Sequence, residues 1–160
     1  MQPPGEFEFR FVERKSHIGN TIICPPDWTI EDWGNTWILA FPNDQARIEI
    51  VTFTVEGSDP YDEFVEHMVG MLPIDGVFKR TDLPPMDING CVTKVIEMRG
   101  SRDENGEGGE TWVVYILTLG DYYHVLFLGV RNFLYDFPVN GQVAIYEEVI
   151  RSFRGIEKRK

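Results

Sequence analysis

The side chains able to do chemistry are scattered along this sequence. His17, His67 and His124 stand far apart, and none belongs to an HxH or HExxH pair that would aim two imidazoles at one ion. A metal site would need them to converge with carboxylates from distant segments. His124 opens an apolar strand, the setting of a core histidine whose ring nitrogens are satisfied by neighbours. Glu63 lies one helical turn before His67, which reads as a solvated helix pair and not as an acid–base couple. No serine sits in a GxSxG elbow. Cys24 and Cys91 make no CxxC spacing and read as buried free thiols, with a Cys24–Cys91 bridge as the alternative. In the 99–110 loop, Asp103, Glu104, Glu107 and Glu110 do not match a calcium-binding EF-hand, and "GEGG" precedes a strand, so it offers a phosphate no helix-end N–H groups. No catalytic residue, cofactor site or metal site is assigned, and the chain reads as a non-enzyme.

The tryptophans are more informative. The stretch "CPPDWTIEDWGNTW" holds Trp28, Trp33 and Trp37. Trp28 follows two prolines that end a strand, and reads as a core plug. Trp33 sits in "EDWGN", a polar turn where a large ring lacks obvious cover. Beside Glu31 and Asp32 it is a candidate anchor for a protein partner. Trp37 starts a strand and could face either way, so it joins Trp33, Glu31 and Asp32 in the candidate partner surface. A competing site would place a small ligand between the sheet and the 99–110 loop. Tyr122 and His124 share a face by alternation and, with a carboxylate, could line it.

Several elements must position these residues. "EFEFRFVE" alternates at period two, and "TIIC" follows it, so the two form a hairpin. "TWILAF" and "ARIEIVTFTV" are further strands. In the second, the apolar set changes parity between Ile50 and Val51, which signals either a β-bulge or a strand covered on both faces. "GSDPYDEFVEHMVGML" is an amphipathic helix over about 59–72, capped by Asp59, with Pro60 at the first helical position and Pro73 as its stop. "GVFKRTDL" and "INGCVTKVIEMRG" precede the long strands "TWVVYILTL" and "YYHVLFLGV", which Gly120 and Asp121 join. Both long strands are apolar at odd and even positions and need cover on both faces. A second helix over about 140–153, capped by Asn140, supplies part of it. The order β-β-β-β-α-β-β-β-β-α gives an α+β fold, an α-β-α sandwich on a mainly antiparallel sheet.

At 160 residues the chain fits one domain, with a core over about 7–153 and a solvated basic tail at 154–160. Its 26 acidic and 15 basic residues give a net charge of −11, which repels a phosphate backbone and excludes nucleic acid as a partner. The longest apolar run, "VLFLGV", is far short of the roughly 20 residues that span a bilayer. The amino terminus shows no secretory leader, so the expected setting is cytoplasmic, without membrane insertion.

The Pro-x-x-Trp of "PPDW" after a short strand, the capped amphipathic helix, and a last helix ending in "IRSF" resemble the PsbP-like superfamily. That superfamily takes in PsbP, DcrB-like lipoproteins, a Ran-binding nuclear import factor and the Eag chaperones of type VI secretion. The resemblance implies a binding, assembly or chaperone protein with no shared catalytic residues. The leading expectation is a protein-binding adaptor or chaperone-like factor. An Eag-like role for apolar client helices would require an exposed apolar concave surface. A homodimer through the edge strand Phe7–Val12 is a third candidate.

Overall fold

Alternating apolar residues at two different parities drive this chain into a sheet buried on both sides. The computed structural model describes residues 11–40, 46–72, 77–101, 109–132 and 142–158. Its elements are β1 (Val12–Lys15), β2 (Thr21–Cys24), β3 (Thr29–Asp32), β4 (Thr36–Ala40), β5 (Ala46–Thr54), α1 (Tyr61–Gly70), β6 (Val77–Ile88), β7 (Cys91–Ser101), β8 (Glu110–Leu119), β9 (Tyr122–Arg131) and α2 (Gln142–Arg151). Seven strands form one antiparallel sheet in the order β3-β4-β5-β9-β8-β7-β6, and β1 and β2 pair as a separate hairpin. The α+β expectation holds.

On one face, Tyr146, Val149 and Ile150 of α2 share one core layer with Ile48, Ile50, Leu126 and Leu128 of the sheet, and Ile22 and Cys24 of the hairpin extend that layer. On the other, α1 lays Phe64, Val65 and Met68 onto Ile96, Val114, Ile116 and Val125. Residues 111–117 and 123–130 are consequently buried without interruption, as the two-sided hydrophobicity of β8 and β9 demands.

Several expectations need correction. β3 was not anticipated: only Ile30 of its four residues is apolar, and it forms because β4 offers a free ladder edge. The parity change in β5 marks no bulge, since β5 pairs β9 without a break from Ala46↔Val130 to Thr54↔Tyr122. It marks the strand covered on both faces. The register shift lies instead in β6, between Leu83 and Met86, where Pro84 and Pro85 lack the N–H groups a ladder needs. α1 starts one residue later than expected, with Pro60 at the N-cap and no side-chain cap, so Asp59 lies too early to serve. The tail is not wholly solvated. Arg154 bridges Thr21 with reciprocal 2.9 Å backbone bonds, and Asp121 N–H donates to Glu157 O at 2.8 Å, which carries the packed structure to residue 157. Phe7–Arg10, the turn at 42–45, Pro73, most of the 99–110 loop and Asn140 lie outside the described residues.

Candidate protein-binding surface

The α1 face is only partly covered, and simple dimensions explain why. Ten helical residues are about 15 Å long. Seven strands at about 4.8 Å spacing place the outer two about 29 Å apart. α1 is anchored toward β6, where Arg80 donates to Glu66 of the helix at 2.7 Å and to Asp82 at 2.9 Å. At its start, Phe64 stacks on Tyr123 with ring centroids 4.4 Å apart. Among the described residues no helix covers the β3-β4-β5 side of this face.

An open apolar trough of about 790 Å³ results. Ile38, Val51 and Phe127 form its floor, and Met68 of α1 forms a wall with Met71 and Leu72, which follow the helix. Met71 is 58% exposed. At one end the Trp112 indole lies over Gly129, where an added Cβ would come within 2.7 Å of the ring, so only glycine leaves room for it. The Trp112 Nε1–H is buried there without an acceptor. Register sets these residues in rows: Glu31, Ile38, Glu49 and Phe127 are successive cross-strand partners, and Trp112 pairs with Gly129.

Five charges rim the trough. Arg47 and Glu49 form an ion pair at 3.3 Å, and Glu110 stands opposite Arg131 in the ladder. Glu31 is exposed and has no ion pair among the described residues. Two residues on, Trp33 is 71% exposed. Its N–H donates to Thr36 O at 2.8 Å, which extends the β3–β4 ladder by one pair and keeps Trp33 on the Glu31 side.

The four sequence candidates therefore separate. Trp33 and Glu31 share the trough side. Asp32 is occupied as a clasp: Oδ2 accepts from His17 N–H at 2.6 Å and Oδ1 from Gly34 N–H at 3.1 Å, which stiffens the turn that presents Trp33. Trp37 is 2% exposed and points to the opposite face, into the layer that holds Ile150 and Phe153. Its inclusion in a partner surface is corrected, because strand alternation opposes it to Ile38. Trp28 is core, as its context implies, with its ring 6.0 Å from that of Tyr146.

The site built on Tyr122 and His124 is likewise corrected. His124 is fully buried, and burial pushes its imidazole below the usual histidine range, while a hydrogen bond to Ile156 O opposes that shift. Both ring nitrogens are engaged, Nδ1 with Thr52 Oγ1 at 2.9 Å and Nε2 with Ile156 O at 2.8 Å. It also lies far from the loop. Leu117 pairs His124 and Glu110 pairs Arg131, so the root of the loop is seven residues, or about 23 Å, along β8 and β9. His17 and His67 are exposed, and both cysteines are free thiols. Among the described residues no three His, Cys, Asp or Glu side chains gather as a metal site.

Sequence reasoning missed the trough itself. Its signal was the second apolar set of β5, Val51 and Phe53, which lies by alternation on the same face as Glu49, the cross-strand partner of Ile38 and Phe127.

No family model and no curated protein matches the sequence. Solved structures do. The chain is similar to a mutant of the protein Mog1, with TM-score 0.58 and 13% identity over 92% of this chain and 96% of that one. It is similar to the cyanobacterial PsbP (CyanoP) of Synechocystis sp. PCC 6803, with TM-score 0.59 and 11% identity over 98% of each chain. A protein of Bacteroides thetaiotaomicron matches with TM-score 0.53 and 15% identity over 87% of this chain, which spans 46% of that one. Among the described residues no helix is long and apolar enough to cross a membrane. The chain has the fold of PsbP and Mog1.

Proposed function

We propose that this protein is a non-enzymatic adaptor, chaperone-like in action, that receives an apolar segment of another polypeptide in the trough beside α1. The observation that carries this reading is the incomplete cover of one sheet face among the described residues, which leaves Ile38, Val51 and Phe53 half-buried and Met71 exposed in a trough near the exposed Trp33. Tryptophans are enriched among the residues that dominate binding energy. The same fold hosts unrelated roles, so the argument rests on the surface and not on the fold.

The test is capture of partners from the native host by the wild type, by Trp33→Ala and by Val51→Asp. Trp33→Ala is expected to weaken capture at least about tenfold, and Val51→Asp to abolish it by placing a carboxylate in the floor. Trp33→Ala should leave the unfolding free energy within about 0.5 kcal/mol of wild type, as for other surface changes. Undiminished capture by both folded variants would sink the reading.

A further inference from the structure

The rim of the trough is unevenly balanced. Arg47 and Glu49 neutralise each other through their 3.3 Å ion pair, and Glu110 and Arg131 face each other across β8 and β9. Glu31 is left as the uncompensated charge, at the β3 end of the trough. Trp33 follows on the same side of the strand, about 7 Å further along. Its ring is 71% exposed, and its turn is held by both Asp32 carboxylate oxygens. A carboxylate and an open indole face at that separation suit a cation between them, which would gain an ion pair from one and a cation–π contact from the other. The chain's net charge of −11 further disfavours an acidic visitor.

We infer that the segment entering the trough carries a lysine or arginine at one end of its apolar stripe, seated between Glu31 and Trp33. This rests on the trough being the partner-binding surface. It adds a polarity to that surface: the apolar stripe lies over Ile38, Val51 and Phe127, and its basic end points to β3.

The inference is tested by fluorescence anisotropy with labelled peptides that share one leucine stripe and differ in flanking residues, all lysine, all glutamine or all glutamate. At about 0.1 M salt the lysine peptide binds about threefold to tenfold tighter than the glutamine peptide, and the glutamate peptide binds weakest. Glu31→Gln and Trp33→Leu each bring the lysine-to-glutamine ratio toward one. Glu13→Gln, on the exposed side of the β1–β2 hairpin, leaves it unchanged and so separates the local site from general attraction. If the peptides bind alike, or if Glu31→Gln keeps the full lysine preference, the inference is overturned while the trough reading stands. If none binds the folded wild type, the trough reading falls and this inference falls with it.

Discussion

His124 belongs to a closed circuit of hydrogen bonds that ties four distant parts of the chain together. Asn20 Nδ2–H donates to Thr52 Oγ1 at 2.8 Å, which directs the Thr52 hydroxyl proton to His124 Nδ1. His124 Nε2–H then donates to Ile156 O, and Ile156 N–H returns to Asn20 Oδ1 at 2.9 Å. The order of donors assigns a neutral imidazole with its proton on Nε2. A proton added at Nδ1 removes the acceptor that Thr52 needs. Because burial lowers the folded-state pKa of His124, the unfolded chain binds the extra proton first as pH falls. Stability is therefore full above the unfolded value of about 6.5, declines as pH drops below it, and stops declining on this account once pH is below the folded value. Urea unfolding at a series of pH values should show this step, and His124→Gln should remove it. Gly129→Ala is a sharper steric test: the added methyl meets Trp112, and relief of that clash should cost about 1–3 kcal/mol by the same measurement.

Helix α2 illustrates an element whose spacing alone reveals its buried side. Tyr146, Val149, Ile150 and the following Phe153 recur at helical intervals, and all four are core. Ile150→Ala should lower the unfolding free energy by about 2–5 kcal/mol, measured by chemical denaturation. β3 was hidden because an edge strand with one apolar residue has no periodicity to detect. The edge of β4 specifies its ladder, and no such pairing can be read from Thr29–Asp32 alone. β5 was legible as a strand yet ambiguous in meaning. Its two apolar sets serve different surroundings, since Ile48 and Ile50 are sealed under the α2 layer whereas Val51 and Phe53 are half-buried beside α1. The trough could not be read from the sequence because it depends on where a short helix stops across a wide sheet. Trp33 was legible because a large ring in a polar turn has nothing to pack against. Trp37 was not, since a strand's first residue takes its side from register, which only the pairing to Asp32 and Ile50 settles.

At the scale of the whole molecule, the two sheet faces differ in kind. Among the described residues, the α2 face is closed by a helix, a hairpin and residues 153–157, and the α1 face is closed by the short helix α1. Both faces contribute to the core, and on the proposed reading recognition falls on the α1 face, so changes at its exposed positions Glu31 and Trp33 should alter binding without unfolding the chain. Removal of residues 154–160 should do the reverse. It strips the partners of Thr21, His124 and Asn20 and should lower the unfolding free energy by about 2 kcal/mol or more in a denaturant titration.

The stitching of residues 154–157 onto the β1–β2 hairpin also sets the order of events during synthesis. Asn20 and Ile156 are 136 positions apart, and at about 5–20 residues per second the first waits roughly 7–27 s on the ribosome for the second. A lone two-stranded hairpin is marginal at best in water. Until Phe153 and the residues after it emerge, the layer that Ile22 and Cys24 join is incomplete, and Thr21 and Asn20 lack their backbone partners at Arg154 and Ile156. This fold therefore completes only after residues 153–157 have emerged, and its β1–β2 hairpin is held in place by a segment made more than a hundred residues later.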